Sequence, residues 1–384
     1  MNGYINFNAH DDYFGLIPSD LLMTRQLTSL LCGLCLCTPG LAQSSSYSMA
    51  DFDEIEKIDI HVHIHNENLD FVSLSRRDRF RFVNMAVWSD LDPQVNAEKH
   101  RTTFLQYKAA PDRLAPVVSF PLENWDAPDW TDQTIAYLDE MFKRGAVGVK
   151  VWKNIGMVLR DKTGKLVMID DPKFDRVFEH LRVNQKVLLG HLGEPKNCWL
   201  PLDEMTTNND RSYFAEHPKY HMYLHPELPG YEDQIAARDR MLDKHPQLQF
   251  VACHLGSLEW SIDEMSNFLQ RYPNVVLGVA ARMGQIQYQS HRDRQRVIDF
   301  FIQYQDRLLY GTDTGVGPKT NAAEAYEQVR YRWLRDWKYF NTEQYVEVPE
   351  LDNPIQGLAL PKSVVDKVYR ENARRIFSTS WPNS

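Results

Sequence analysis

The strongest constraint on this chain is a rhythm. From Ile58 onward, short apolar, β-branched runs alternate with longer segments of helical period. The strand candidates are Ile58–His63, Phe82–Trp88, Ala115–Phe120, Val147–Trp152, Lys186–His191, Gln249–His254, Val275–Ala281 and Leu308–Asp313. Their last residues are separated by 25, 32, 32, 39, 63, 27 and 32 positions. One strand, one helix and two loops need about that much chain. Between strands, Ile135, Leu138, Met141 and Phe142 fall on one helical stripe, as do Phe174, Val177, Phe178 and Leu181. Pro172 and Ser257 stand where helices are expected to start, and Gly145 where one is expected to end. Eight near-continuous apolar strands, each followed by a helix, predict an α/β protein: a closed, parallel (β/α)8 TIM-like barrel over residues 55–380. A doubly wound open sheet would carry a glycine-rich phosphate loop after its first strand, and His61-Val62-His63 occupies that place. The long gap from Leu192 to Leu248 reads as an insertion after strand five, where substrate contacts are often found.

Composition narrows the class of partner. The 384 residues include 43% hydrophobic and 25% charged side chains, ordinary for a folded chain. Lys and Arg number 43 against 52 Asp and Glu, a net charge of −9 without any basic block, which argues against nucleic acid. No apolar run is long enough to span a membrane. A small-molecule substrate is the expected partner, and a homo-oligomer is compatible with these values.

The N-terminus reads as an address. Met23-Thr24-Arg25, then the short apolar stretch Leu27–Ala42 with small Gly40 and Ala42 at −3 and −1, form a secretory signal pattern over residues 23–42. Residues 1–22 fit a start codon assigned too early, or else a disordered cytosolic tail. Residues 43–54 read as a linker, with Ser44–Ser48 its polar part. A periplasmic or secreted protein is therefore expected. Cys32, Cys35 and Cys37 fall in the signal, and the remaining Cys198 and Cys253 make no disulfide framework.

Ionisable residues collect at the strand ends. Strand one finishes on His61 and His63, which two-residue spacing places about 7 Å apart on one face. Strand four carries Lys150, and strands five, six and eight end on His191, His254 and Asp313. In a parallel barrel these ends open on one mouth, where active sites are built. Any one of them has an ordinary structural explanation. Their joint placement predicts metal binding.

The pattern Ile58-Asp-Ile-His61-Val-His63, Gly148-Val-Lys150, Val187-Leu-Leu-Gly-His191-Leu-Gly-Glu194-Pro195, Phe250-Val-Ala-Cys-His254-Leu-Gly-Ser257, Leu309-Tyr-Gly-Thr-Asp313 and Glu371-Asn-Ala-Arg-Arg-Ile-Phe377 resembles the amidohydrolase superfamily, in its amidohydrolase-related branch. The resemblance spans the chain after the signal. It implies a divalent metal held by His61, His63, His191 and Asp313, with His254 polarising the substrate, orienting the water or ligating a second ion. It leaves Lys150 either carbamylated and bridging two ions or unmodified and facing substrate or a carboxylate. Imidazole and carboxylate ligands suit Zn²⁺ best, with Mn²⁺ or Fe²⁺ as alternatives.

The expected chemistry is hydrolysis of an amide, ester or lactone bond of a small polar molecule, with Asp313 as general base and His254 beside the oxyanion. The alternative is decarboxylation of an unsaturated or aromatic acid on the same ligands. Arg282, just past strand seven, is expected to bind a substrate carboxylate through its planar fork, or else to make a structural ion pair. Trp152, Lys153, Glu194 and Tyr231 are further candidates for the pocket wall. His217, His221 and His225 stand four apart, but Pro218 and Pro226 argue against one continuous helix presenting them together.

Overall fold

The computed structural model describes residues 46–89 and 92–381. The stretch 1–22, the signal pattern 23–42 with its three cysteines, and linker residues 43–45 lie outside the described residues.

Strands β1 (Lys57–Ile64), β2 (Phe80–Met85), β3 (Leu114–Val118), β4 (Gly148–Val151), β5 (Val187–Gly190), β6 (Phe250–Ala252), β7 (Val275–Gly278), β8 (Leu308–Leu309) and β9 (Thr314–Val316) form one parallel sheet, ordered β8-β7-β6-β5-β4-β3-β2-β1-β9. The expected eighth strand, Leu308–Asp313, is cut back to β8, and a second strand, β9, follows just past its expected end. β8 pairs with β7 through Leu277–Leu308 and Gly278–Leu309, β9 with β1 through Val62–Thr314 to Ile64–Val316. Between them Ile60 N donates to Tyr310 O (3.0 Å) and Asp313 N to His61 O (2.8 Å). The ring closes, and the fold is a (β/α)8 barrel.

Two apolar layers follow from strand alternation. Ile58, Ile60, Val83, Met85, Ala115, Val117, Val187, Leu189, Val251, Cys253, Val276 and Leu309 pack together inside the ring. Phe377 and Trp381 from the C-terminal tail join this cluster and close the barrel floor. The alternate residues, among them Val62, Ile64, Phe82, Val149, Leu188, Phe250 and Leu277, face the outer shell with Trp130, Phe178, Met265 and Trp333 from the helices. Ile135 and Phe142 lie at that shell's edge.

The parity changes within β1. The register against β2 shifts between Asp59 and Val62, a bulge. Ile58 and Ile60 point inward before it, while Val62 and Ile64 point outward after it. His61 and His63 are thereby carried into the lumen, while Asp59, of the same sequence parity, turns out towards Trp333 of helix Ala322–Asn341. Asn84 covers the irregularity: its Oδ1 accepts from Ile64 N (2.8 Å) and its Nδ2 donates to Ile64 O (2.9 Å).

Helix ends partly follow expectation. Pro172 opens a 3-10 turn that leads into Asp175–Val183, with Asp171 accepting from Lys173 N. Gly145 has φ +110° just after helix Trp130–Lys143, a conformation that suits glycine. Ser257 does not start a helix. It ends a left-handed turn, and Ser261 caps helix Ile262–Arg271 by accepting from Glu264 N. Within the expected linker, residues 46–54 pack on the barrel: Trp337 Nε1 donates to Ser48 O (2.9 Å), and Phe52 is buried against Phe80 and Trp337.

The insertion holds short turns and the helices Asn208–Glu216 and Tyr231–Lys244. Met205, Phe214, Tyr220 and Met222 from it form a small core with Val87 and Trp152, from just beyond β2 and β4. Helix Asn208–Glu216 stops before Pro218, as the prolines require, so no single helical face carries His217, His221 and His225. His221 Nε2 lies 2.7 Å from Leu200 O, and His225 Nε2 3.1 Å from Pro218 O. Among the described residues, no helix is long and apolar enough to cross a membrane.

Candidate metal centre

At the mouth, the donor atoms of His61, His63 and Asp313 all lie within 4.8 Å of one another. His61 Nε2 and His63 Nε2 are each 3.2 Å from Asp313 Oδ1. The bulge in β1 delivers both imidazoles. Asp313 reaches them because its backbone is left-handed (φ +64°) in the break between β8 and β9, a conformation Asp tolerates better than most residues.

Carbonyls behind the rings set the tautomers. His63 Nδ1 donates to Met85 O (2.9 Å), which turns Nε2 towards Asp313. His254 Nδ1 donates to Ala280 O (2.9 Å), so its Nε2 faces Asp313 Oδ2 at 3.9 Å. His254 is also left-handed (φ +55°). That turn, following Cys253 in the lumen, brings its ring to 4.8 Å from His61 and 4.1 Å from His191. Backbone residues held in such conformations cluster at functional sites.

The electrostatics suit a cation. Burial, then the Lys150 charge, holds His61 well below the ordinary histidine range, and burial does the same to His254. Both rings are neutral. Burial alone would raise Asp313, but the His63 contact and the positive charge of Lys150 hold it well below the usual carboxylate range. Two imidazoles and one carboxylate converging at a barrel mouth, with His63 held by Met85 O, fit a divalent ion.

A family model described as Amidohydrolase matches residues 58–379 of this sequence. The chain belongs to the amidohydrolase family. Among solved structures, it is similar to 2,6-dihydroxybenzoate decarboxylase from Rhizobium, at 17% identity over 84% of this chain and 98% of that one, with a TM-score of 0.50. The same enzyme complexed with 2,6-dihydroxybenzoate gives the same values. 4-Oxalomesaconate hydratase from Rhodopseudomonas palustris is 11% identical over 84% of this chain and 96% of its own, with a TM-score of 0.45. No curated protein matches the sequence significantly.

The other amidohydrolase candidates take varied positions. His191 lies outside the tight cluster: its Nε2 is 3.5 Å from Glu194 Oε2, and burial lowers its pKa to about 4 against the opposing Glu194 charge. Glu194 is itself buried, but Lys153 and His191 pull its carboxyl down to about 2. Lys153 and Glu194 form a close ion pair. Lys150 is buried in the lumen, donating to Cys253 Sγ (2.9 Å) and lying 3.4 Å from His61 Nε2.

Arg282, 2% exposed, donates from Nη1 to Ala281 O (2.8 Å), and its charge adds to the depression of His61 and His254. Trp152 belongs to the insertion's core rather than to an open wall. Tyr231 donates its hydroxyl to Ser257 O and accepts from Trp260 Nε1 (2.8 Å).

Sequence reading passed over three contributors. Cys253 meets Lys150, and its place immediately before His254 was the available signal. Glu259 is a buried carboxyl that burial pushes up to about 7, with Arg282 opposing. Asp59, a charge inside an apolar strand, was the third.

Proposed function

We propose that this amidohydrolase is a metal-dependent hydrolase acting on an amide, ester or lactone bond of a small polar molecule. The observation that carries the reading is the convergence of His61, His63 and Asp313 at the mouth of a closed barrel. His191 is the proposed further ligand, and Zn²⁺ the ion best suited to this set, with Mn²⁺ or Fe²⁺ as alternatives. When bound, such an ion acts as a Lewis acid and lowers the pKa of water towards 7.

The chain's own residues would do the rest. Asp313 takes the proton of the attacking water through its carboxylate and returns it to the departing nitrogen or oxygen. His254, its proton fixed on Nδ1 by Ala280 O, keeps its Nε2 lone pair turned to the reacting centre, where it accepts from the attacking water and orients it. Arg282 supplies positive charge beside the histidines for a substrate carboxylate. Lys153 and Glu194, joined to each other, hold the side of the pocket next to His191.

Purified protein should be assayed for metal by mass spectrometry and incubated with lactones, acyl-amino acids, esters and aromatic acids. Stoichiometric metal with acid release from a lactone, ester or amide is the expected result. A metal-free active protein would overturn it. The same fold carries a decarboxylase in the Rhizobium structure, so CO₂ release from an aromatic acid is the outcome that would replace hydrolysis by the lyase reading. The metal count also reads Lys150. Two equivalents falling to one in Lys150→Ala would mean a bridging carbamate, and a single equivalent would assign the lysine to substrate.

A further inference from the structure

The carboxylate of Asp59 touches neither the lumen nor solvent. It sits outside β1 with no exposed surface, and its donors are His61 and Thr312, on the two segments that close the barrel, and Trp333 of the outer helix. Oδ1 accepts from His61 N (3.1 Å) and from Thr312 N (3.0 Å). Oδ2 accepts from Thr312 Oγ1 (2.6 Å) and, at longer range, from Trp333 Nε1 (3.4 Å). One carboxylate thus holds the backbone of a metal-ligand histidine and the residue just before Asp313.

We propose that Asp59 is a positioning residue that couples closure of the barrel to the geometry of the metal site.

Three features make the coupling mechanical. First, the bulge in β1 separates the two roles: Asp59 turns out to the seam while His61 turns in to the mouth. Second, Asp313 is left-handed, and such a residue keeps that conformation only when its neighbours over-determine it. Here Thr312 is fixed on both sides: its N–H and hydroxyl go to Asp59, and its carbonyl accepts from Arg332 Nη1 (2.9 Å). Asp313 N then donates to His61 O, tying the two ligands directly. Third, there is no slack. A Cβ on Gly311 would lie 3.1 Å from His61 Cβ, so the two strands already touch where the ligands emerge. Loss of the Asp59 bonds would let Thr312 and Asp313 relax away from His61. Residues that orient metal ligands in this way typically contribute 10- to 100-fold to metal affinity.

The inference rests on the metal-site reading above, and the test separates the two. Full-length protein loaded with Zn²⁺ is titrated with a chelator of known affinity, and retained zinc is measured for parent, Asp59→Asn, Thr312→Val and Asp78→Asn. In Asp59→Asn the new side chain would keep an oxygen for the two backbone N–H groups but present an amide NH₂ to two donors. This variant is expected to hold zinc 10- to 100-fold more weakly. Thr312→Val should shift the same way by less, and the double variant should lose no more than Asp59→Asn, because the two act as one unit.

Asp78 is the control for general loosening. It is equally buried and anchors the same helix through Tyr326 and Arg330, away from the mouth. Asp78→Asn should lose stability but not zinc affinity. Zinc retention within twofold of the parent in Asp59→Asn, or an equal weakening in Asp78→Asn, would overturn the positioning role. Should Asp59→Asn not fold, Thr312→Val carries the test alone, and parental retention there overturns it. A parent that binds no zinc would overturn the site reading itself, and this inference with it.

Discussion

At the scale of single residues, the proposed mechanism makes Asp313 both ligand and base, and one substitution separates the roles. Asp313→Asn keeps the size, one ligating oxygen and a side chain that tolerates the left-handed backbone at this position. It removes the proton acceptor. Loss of a positioned general base costs about 10²–10⁴-fold in turnover, about 3–5 kcal/mol of barrier, while metal stays bound through the imidazoles. His61→Ala should instead lose metal and activity together. Metal content and turnover measured side by side check both. Normal turnover in a metal-loaded Asp313→Asn protein would shift the base to another group. The strand-end residues of this site were readable because ligand chemistry restricts residue type: His61, His63 and Asp313 stand out among apolar neighbours. What they lean on was not readable. The carbonyls of Met85 and Ala280 belong to apolar residues whose side chains carry no trace of the role. The Lys153–Glu194 and Lys150–Cys253 contacts join residues 41 and 103 positions apart, a separation no local pattern encodes.

At the scale of elements, period was legible and parity was not. Alternation marks a strand, but an extra residue in β1 reverses which side chains face in, and nothing in Ile58–Ile64 announces the bulge. Left-handed turns do the same for His254. The expected helix start at Ser257 failed for that reason: the chain spends Cys253–Ser257 in a tight turn before Ser261 caps the helix. Buried joints between elements also set the response to acid. His100, on helix Pro93–Ala109, accepts from Ser119 N through Nε2 (3.0 Å), and Nδ1 contacts Tyr137 Oη (3.1 Å), joining that helix to the end of β3 and to helix Trp130–Lys143. Burial lowers its pKa to about 4. Between pH 6.5 and 4 the unfolded chain takes up a proton that the folded chain refuses, so stability must fall as pH falls through this window. The contribution, fully present above pH 6.5, shrinks by on the order of 3 kcal/mol at pH 4. His100→Gln retains an acceptor for Ser119 and cannot titrate. Denaturant midpoints from pH 7 to 4 should therefore decline less steeply in that variant, and parallel slopes would sink the assignment.

At the scale of the whole molecule, the eightfold count was plain from strand spacing, whereas the floor was not. Phe377 and Trp381 enter the inner cluster from a tail whose motif reads as an ordinary helix end. Phe377, 1% exposed, should cost about 3–5 kcal/mol as Phe377→Ala, measured by chemical denaturation, because it opens a cavity beneath the lumen. Export belongs to this scale too. We propose, from residues 23–42 alone, that the mature chain begins near Gln43 outside the cytoplasm. N-terminal sequencing from the native host should find that start, and an intact Met1 or Met23 in cytosol would refute it. One consequence of closure through β9 concerns the order of events in the chain's own history. His61 and His63 emerge early in synthesis, and Asp313 some 250 residues later. The two ends meet only when β9 docks on β1. Until then the histidines are a bare pair without their carboxylate, open to whatever cation is most abundant where the chain happens to be. If a metal is taken up, its full ligand set exists only in the compartment where the last strand closes, not where the first is made.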